Sequence, residues 1–346
     1  MDEPTAALSG VEVERLFAVA RSLRDEGRAL VFISHRFDEV FALCDTVTVM
    51  RDGEYVSTQA VADTSVDKLV ALMVGREVAD LYPKTPAQVG DVVLEVEGLE
   101  SAGTFHGVTF TVRAGEIVGL AGLVGAGRSE IARAIFGVDS YDAGSVRLLG
   151  RVVPPHNPRA AIRAGMAFVP EDRRKQGLVT ESSVARNVAG VIRRNLTHLG
   201  LLTSRAENRA SGPWAAKLEV KTNALDMAAT TMSGGNQQKV VIAKWLATQP
   251  KLLIIDEPTR GIDVGTKAEV HRLLSDLAGE GLAVLMISSE LPEVLGMADR
   301  VLVVSEGEIT ADIARADATP ENVMYAATRA QRSAEESENT RAGASS

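Results

Sequence analysis

The chain has 346 residues, of which 45% are hydrophobic and 24% are charged, and its formal net charge is −9. This composition is typical of a globular protein with room for two domains, and the negative charge argues against a nucleic-acid-binding groove. The single cysteine excludes a disulfide framework within the chain, and no apolar run approaches the roughly 20 residues of a membrane span, so we expect a cytoplasmic protein.

An internal repeat with an offset of 254 residues starts near the beginning of the chain. The segment "DEPTAALS" from Asp2 echoes "DEPTRGID" from Asp256, and 256 − 2 = 254. The same offset, without a gap, aligns Glu26-Gly27 with Glu280-Gly281, Glu39-Val40 with Glu293-Val294, and Gly53-Glu54 with Gly307-Glu308. We therefore expect residues 1–80 to be the C-terminal remnant of one module, with roughly its first two thirds absent, and residues 92–328 to be a complete second copy.

The remnant is expected to have an incomplete sheet. The strand around Leu30 to Ile33 lacks the neighbours that the absent part of the module would supply, so it should expose an edge and apolar faces. After it, "LYPKTPAQVGD" at 81–91 carries two prolines and no hydrophobic period, which predicts a short linker. Residues 329–346 are polar without apolar spacing and are predicted to be a disordered tail.

The second copy alternates apolar runs with amphipathic stretches. Examples are "EIVGLAG" before "RSEIARAIFG", and "KLLIID" before "GTKAEVHRLLSDLAGEG". This alternation predicts an α/β fold in which parallel strands are joined by helices, with the chemistry gathered at the strand ends.

The first candidate site residues form a glycine-rich loop at 122–129, with the sequence "GLVGAGRS". It fits the phosphate-loop pattern G-x-x-x-x-G-K-S/T except that Arg128 replaces the lysine. Its backbone N–H groups would surround phosphate oxygens at a helix N-terminus, and Ser129 would face magnesium. Arginine is longer, planar and forked, so it would hold the anion in a different place. A glycine turn between a strand and a helix is the alternative.

Two later segments complete the candidate site. "TMSGGNQQKVVIAKWLA" at 231–247 places a serine and two glycines at the head of an amphipathic helix, which is an anion site or else only a helix cap. In "KLLIIDEPT" a predicted buried strand ends at Asp256, which is suited to bind magnesium, and Glu257 follows, which is suited to orient or deprotonate a water. The alternative is a strand followed by an acidic cap. The three pieces in this order favour a nucleotide site.

Five segments resemble the second cassette in one kind of ABC importer ATP-binding subunit. They are "GLVGAGRSE", "FVPEDRRKQGL", "SGGNQQKV", "DEPTRGIDVG" and "ISSELPEV". The family is the tandem-cassette type that serves ribose, galactose, xylose and related monosaccharides, and the resemblance extends from Asp2 to about Thr328. In this subfamily the second phosphate loop typically has arginine in place of lysine, which accounts for Arg128.

The resemblance implies a P-loop NTPase fold of the ABC ATPase type, with a mainly parallel core sheet, an antiparallel β subdomain and a helical subdomain. It implies ATP and Mg²⁺ as ligands, transmembrane permease subunits and a separate sugar-binding protein as partners, and no nucleic acid. It places the protein peripherally on the cytoplasmic face of the membrane, where ATP binding and hydrolysis drive sugar uptake.

The resemblance also assigns roles to individual residues. Glu257, Glu3 and His35 are catalytic; Ser129 and Asp256 bind the metal; Glu171 is the Q-loop equivalent; Asp263 marks the D-loop; and Ser289 stands at the switch position where His35 stands in the first copy. The nucleotide-binding residues are Gly122, Gly125, Ala126, Gly127, Arg128, Ser129 and Glu130. The signature residues are Ser233, Gly234, Gly235, Asn236 and Gln237.

Cassettes of this family pair head to tail, so that each ATP lies between one phosphate loop and the signature of the other cassette. One site would combine Asp2, Glu3 and His35 with Ser233 to Gly235, and it lacks a phosphate loop. The other would combine the loop at 122–129 with Glu257, and it lacks a signature. We therefore expect a first site that is incomplete and a second that is degenerate, which a second cassette or a homodimer would have to complete.

Three functions remain open from the sequence. The first is the energy-coupling subunit of sugar import. The second is a nucleotide-binding regulatory module without turnover, which Arg128, Glu171 and Ser289 favour. The third is a soluble tandem-cassette translation factor, against which the short linker and the negative charge argue.

Overall fold

The computed structural model describes residues 1, 4–5, 10–34, 37–51, 53–66, 68–69, 72, 81–197, 201–222 and 224–328. The chain divides into two compact units. The smaller unit comprises Met1–Leu81 with Asp263–Ala268, and the larger comprises Tyr82–Ile262 with Glu269–Ser346.

The described part of the smaller unit includes two α-helices and a β-hairpin. These are α1 (Gly10–Asp25), α2 (Phe37–Leu43), β1 (Thr46–Arg51) and β2 (Glu54–Ala60), with β1 and β2 antiparallel. Its compact core is formed by Phe17, Ala20 and Leu43. Leu30, Val31 and Ile33 are 37%, 74% and 55% exposed, and of the described residues around them only Ile33 makes an isolated bridge, with its N–H donating to the Met1 carbonyl at 2.9 Å.

The larger unit is built on a six-stranded sheet. Its strands are β5 (Ile117–Ala121), β8 (Met166–Val169), β9 (Leu252–Asp256), β10 (Ala283–Ile287), β11 (Arg300–Ser305) and β12 (Glu308–Ala314). The order is β12-β11-β5-β10-β9-β8, and every pairing is parallel except that of the edge strand β12. All residues of β5, β9 and β10 are buried, as expected for central strands of a mainly parallel sheet, which need apolar side chains on both faces.

A second sheet in this unit is antiparallel and has the order β4-β3-β6-β7. Its strands are β3 (Val92–Ser101), β4 (Phe105–Arg113), β6 (Ala143–Leu148) and β7 (Arg151–Val152). These two sheets match the predicted mainly parallel core sheet and antiparallel β subdomain.

Helices connect and cover the sheets of the larger unit. In chain order they are α3 (Arg128–Phe136), α4 (Pro158–Ala164), α5 (Val184–Ala189), α6 (Arg193–Leu196), α7 (Ser204–Lys217), α8 (Gly234–Leu246), α9 (Val264–Gly279), α10 (Leu291–Met297) and α11 (320–328). The segment α5–α7 packs on α8 as a helical subdomain. Stacked Phe136 and Phe168 rings and the edge of Trp245, with centroids 5.3 and 5.6 Å apart, join α3, β8 and α8 in the core.

The elements of the smaller unit recur 254 residues later with the same boundaries. Adding 254 to the bounds of α1, α2, β1 and β2 gives those of α9, α10, β11 and β12. The β-bulge between Val49 and Met50 likewise corresponds to the one between Val303 and Val304. Among the described residues, no helix combines the length and apolarity needed to cross a bilayer.

Candidate nucleotide site

The glycine-rich loop lies between the carboxyl end of β5 and the start of α3. Gly122, Gly125 and Gly127 have φ angles of 153°, 83° and 100°, a region that only glycine occupies readily. A Cβ on Gly122 would stand 2.2 Å from the Val304 carbonyl oxygen, so this position also has no room for a side chain. The loop therefore needs glycine at these positions, and it leads directly into the N-terminus of α3, the kind of helix end at which phosphate oxygens bind.

Arg128 is the first residue of α3, and its side chain is buried. Its Nη1 donates a hydrogen bond to the Ser288 carbonyl oxygen at 2.5 Å, which ties the loop to the end of β10. Burial lowers the pKa of Arg128, while the carboxylates of Glu257, Asp256 and Glu130 act to raise it. Arg128, which stands where the phosphate-loop pattern has lysine, therefore keeps a positive charge beside Asp256 and Glu257, and its side chain is anchored to a backbone carbonyl.

Ser129 and Asp256 meet across the site by a hydrogen bond between their side chains. Asp256 is buried, and its Oδ1 has no hydrogen-bonding partner within the described part of the chain. Burial raises the pKa of Asp256, which the Ser129 hydrogen bond and the Arg128 charge partly offset. A hydroxyl beside a carboxylate with an unused oxygen is a donor set that suits Mg²⁺.

Glu257 follows β9 in a left-handed backbone conformation, with φ at 49°, and its N–H donates to the Ile287 carbonyl at 2.9 Å. Such conformations in residues other than glycine concentrate at functional sites. Burial raises the pKa of Glu257 to about 7, against the lowering effect of a hydrogen bond from Ser289. That bond joins Ser289 Oγ to Glu257 Oε2 over 3.1 Å. A carboxylate with a pKa near neutrality is suited to accept a proton from water.

The serine-glycine segment caps α8. Ser233 Oγ accepts a hydrogen bond from the Asn236 backbone N–H, and Asn236 Nδ2 lies 3.0 Å from the same oxygen. Gln237 Nε2 donates to the Ala229 and Met232 carbonyls, each at 3.2 Å. Asn236 and Gln237 therefore organise the turn, while Ser233, Gly234 and the following Gly235 form the helix N-terminus.

Glu171 forms an ion pair with Arg260, three residues after Glu257. The next basic residue, Arg173, donates to the carbonyls of Arg260 and Gly261 at 2.6 and 2.9 Å. Arg173 begins a π-helical turn, Arg173–Gly177, and its two hydrogen bonds hold this turn to the loop at 260–261. Glu171, the predicted Q-loop equivalent, is thus attached to the segment that follows β9 and Glu257.

The remaining predicted residues are placed as follows. Asp263 accepts hydrogen bonds from the N–H and hydroxyl of Thr266, at 2.9 and 2.7 Å, at the start of α9. Glu130 pairs with Arg133 at 2.9 Å on the surface of α3. Glu3 and His35 lie outside the described residues, as do Asp2 and the tail at 329–346.

One buried residue next to the site was singled out by the sequence only as a marker of the repeat. Glu293 on α10 accepts a hydrogen bond from Thr259, at 2.8 Å, and lies 2.6 Å from His271 Nε2. Thr259 belongs to the same "DEPT" segment as Asp256 and Glu257. Thr259 and Glu293 both recur 254 residues earlier, as Thr5 and Glu39. This repetition was the signal in the sequence from which their pairing could have been predicted.

Residues 105–260 match the family model for the ABC transporter. The chain is 57% identical over 334 residues to the ribose import ATP-binding protein RbsA of Rhodococcus jostii, covering 96% of this chain and 66% of that protein. It is 58% identical over 328 residues to the ribose import ATP-binding protein RbsA 2 of Streptomyces avermitilis, with coverages of 95% and 65%. The chain thus spans just under two thirds of the length of these relatives.

Solved structures resemble the fold. A twinned structure of an ATP-binding cassette of an ABC transporter aligns with a TM-score of 0.59 at 22% identity, over 68% of this chain and 99% of that one. A nucleotide-free ATP-binding cassette aligns with a TM-score of 0.56 at 21% identity, over 67% and 95%.

Proposed function

We propose that the chain, whose residues 105–260 match the family model for the ABC transporter, is the ATP-binding and ATP-hydrolysing energy-coupling subunit of a monosaccharide import system. The names of its relatives from R. jostii and S. avermitilis, both for ribose import, favour ribose or a related sugar as the cargo. The observation that carries the proposal is the meeting of the glycine loop with the acidic strand end, through the Ser129–Asp256 hydrogen bond and the Arg128 charge.

The proposed architecture is tandem. Residues 1–80 form the C-terminal part of a first cassette, 81–91 link it to the second, and 92–328 are the complete second cassette. The shared boundaries of four elements at an offset of 254 support this division, since unrelated segments do not repeat helix, strand and bulge positions together.

In the proposed reaction each residue acts on the phosphates or on the attacking water. The N–H groups of 122–129 and the start of α3 bind phosphate oxygens, and Arg128 adds a positive charge from its place beside Ser288. Glu257 orients a water and accepts its proton, with Ser289 holding the carboxylate. Ser233 and Gly234 would contact the nucleotide of an opposing cassette.

Magnesium is proposed as the metal, held by Ser129 and Asp256. The buried Asp256 Oδ1, which has no partner in the described part of the chain, fits a metal ligand. Bound there with the nucleotide phosphates, Mg²⁺ would neutralise charge on the phosphoryl group.

The second site is proposed to be degenerate. Arg128 is tied to the Ser288 carbonyl, Ser289 replaces the switch histidine, and Glu171 is paired with Arg260. Full turnover then requires a partner cassette and the consensus residues Glu3 and His35, with Asp263 at the D-loop between cassettes. The second candidate function, a nucleotide-binding regulatory module without turnover, rests on the same three departures.

The partners and the location follow from the import proposal. Transmembrane permease subunits would receive the conformational change, a separate binding protein would deliver the sugar, and the chain would sit peripherally at the cytoplasmic face of the membrane.

Titrating the full chain with ATP and Mg²⁺ by calorimetry tests the proposal. We expect weak binding, and Ser129→Ala should remove its magnesium-dependent part, whereas Ser145→Ala, on β6, should not. Absence of binding at millimolar ATP would refute the nucleotide function. Phosphate release that is lost in Glu257→Gln would favour the enzyme over the regulatory module.

A further inference from the structure

The segment Tyr82 to Thr85, predicted from sequence as part of a plain linker, is attached to the larger unit by side-chain contacts. Lys84 Nζ pairs with Asp299 Oδ2 at 2.8 Å, and the Lys84 side chain is only 6% exposed. The Thr85 N–H donates to Ser275 Oγ at 2.8 Å. Tyr82 packs on Gly296 so closely that a Cβ there would lie 2.4 Å from the tyrosine Cγ. We call residues 82–85 the strap.

The strap reaches a buried polar network through Tyr82. Its ring lies 5.1 Å from the His271 ring, centroid to centroid, and His271 Nε2 lies 2.6 Å from Glu293 Oε1. The side chains of His271 and Glu293 are both 1% exposed. Burial acts to raise the pKa of Glu293, but hydrogen bonds from His271, Ser288 and Thr259 outweigh it and leave the pKa lowered. Glu293 is therefore a buried carboxylate held ionised by its neighbours.

Glu293 joins the two loops that carry the proposed chemistry. Thr259 lies two residues after Glu257, and its hydroxyl donates to Glu293 at 2.8 Å. Ser288 contacts Glu293 by its side chain and accepts the Arg128 hydrogen bond at its carbonyl. Ser289, the next residue, bonds Glu257. Displacing Glu293 would consequently disturb the loop that carries Glu257 and the loop whose Ser289 bonds the Glu257 carboxylate.

The smaller unit supplies an internal comparison. There Thr5 and Ser34 donate hydrogen bonds to Glu39 at 2.8 and 2.9 Å. At the repeat offset of 254, these three residues correspond to Thr259, Ser288 and Glu293. The central network is thus present twice.

The positions that receive the strap differ between the copies. His271, Ser275 and Gly296 correspond to Phe17, Arg21 and Ala42. Only Asp299, which also accepts the Ile117 N–H at 2.9 Å, has an identical counterpart, Asp45. The strap contacts are therefore a specialisation of the second copy.

We propose that the strap positions the second nucleotide site, with Tyr82 and His271 acting through Glu293 on the loops at 256–259 and 287–290. Tyr82, His271 and Glu293 are positioning residues, because none of them reaches the reacting atoms. The proposal rests on the nucleotide function proposed above, but its structural part can be tested without nucleotide.

Hydrogen exchange of the full chain tests that structural part. Tyr82→Ala and Gly296→Ala should accelerate exchange at 257–260 and 287–290 while leaving β3 and β6 unchanged. Gly279→Ala is the matched control, because a Cβ there meets no atom within 4 Å. Tyr82→Phe keeps the ring and should restore the wild-type pattern. Exchange at the two loops that is the same in Tyr82→Ala and in Gly279→Ala would overturn the proposal.

Mg-ATP affinity measured by calorimetry on the same variants tests the functional part. Networks of this kind change coupled equilibria by about 2-fold to 30-fold, so we expect Tyr82→Ala and His271→Phe to weaken binding within that range. Tyr82→Phe and Gly279→Ala should bind as the wild type does. Unchanged affinity in Tyr82→Ala would refute the link to the site. If the wild type binds no nucleotide, the proposed function fails, and the exchange measurement still decides whether the strap holds the loops.

Discussion

Glu257 concentrates the chemistry of the candidate site in a single side chain. It is half-buried, its backbone is left-handed, and burial raises its pKa to about 7 while the Ser289 hydrogen bond opposes that rise. A raised pKa means that the folded state favours the protonated acid. Glu257 therefore becomes a competent base only as the pH rises through about 7.

Replacing Ser289 with alanine should raise the pKa of Glu257 further, because the hydrogen bond that favours the carboxylate is lost. Carboxyl-selective NMR titration of the chain would measure the change, with Ser145→Ala as the control. Folding stability contributed by the protonated Glu257 is present below its ordinary pKa of 4.5 and declines as the pH rises toward 7. A Glu257 pKa near 4.5 in the folded protein would contradict this view of the site.

Arg128 and Ser289 are expected to limit turnover together. Removing one preorganised group that stabilises transition-state charge typically costs about 10²-fold to 10³-fold in rate. Restoring both groups in the double variant with Arg128→Lys and Ser289→His should therefore raise phosphate release more than either change alone, although such effects are not additive. Glu257→Gln should abolish the gain. If the unmodified chain released phosphate at a rate ordinary for its family, and Glu257→Gln abolished that release, Arg128 and Ser289 would not limit turnover.

At the scale of elements, the site depends on the junction of β5 with α3. The loop turns back on itself beside β11, where Gly122 faces the Val304 carbonyl. α3 then presents its N-terminus to the site while its apolar face packs into the core through Ile131 and Ile135. A short, closely packed loop of this kind tolerates substitutions unequally along its length.

Gly122→Ala should destabilise the chain more than Gly125→Ala. Both positions have positive φ, which costs an alanine about 1 kcal/mol. Only at Gly122 would the added Cβ also meet a backbone atom, at 2.2 Å, whereas at Gly125 it meets nothing within 4 Å. Urea unfolding would compare the two midpoints. Equal losses of stability would show that the loop relaxes around Val304 without cost.

At the scale of the whole molecule, the two units differ in the core that each one builds. The larger unit has a six-stranded and a four-stranded sheet. The described part of the smaller unit has one hairpin and a core of Phe17, Ala20 and Leu43. Because stability follows buried apolar area, their resistance to local opening should differ.

Residues 1–80 should therefore exchange their amide hydrogens faster than residues 95–325. Val31 and Ile33 are more than half exposed, so backbone amides near them are the first expected to exchange. Mass spectrometry of peptides from the native monomer would measure both regions under one condition. Equal protection would mean that the smaller unit completes its core by contacts other than those described.

The sequence alone determined the parts of this protein that depend on neighbouring residues. The glycine loop, the Ser233 cap of α8 and the buried strand ending at Asp256 each follow from local backbone chemistry, and the alternation of strands and helices predicted the α/β fold. These features could be predicted because their hydrogen bonds and apolar periods span only a few residues.

Only the tertiary structure decided which of these local pieces meet. Arg128 and Ser288 are 160 residues apart in sequence, and the Tyr82–His271 and Lys84–Asp299 contacts span similar distances. No spacing rule predicts such pairs, because they depend on the strand order β11-β5-β10-β9 and on the packing of α9 and α10 beside it. The raised pKa of Glu257 likewise could not be predicted from sequence, because it results from burial by segments that are distant along the chain.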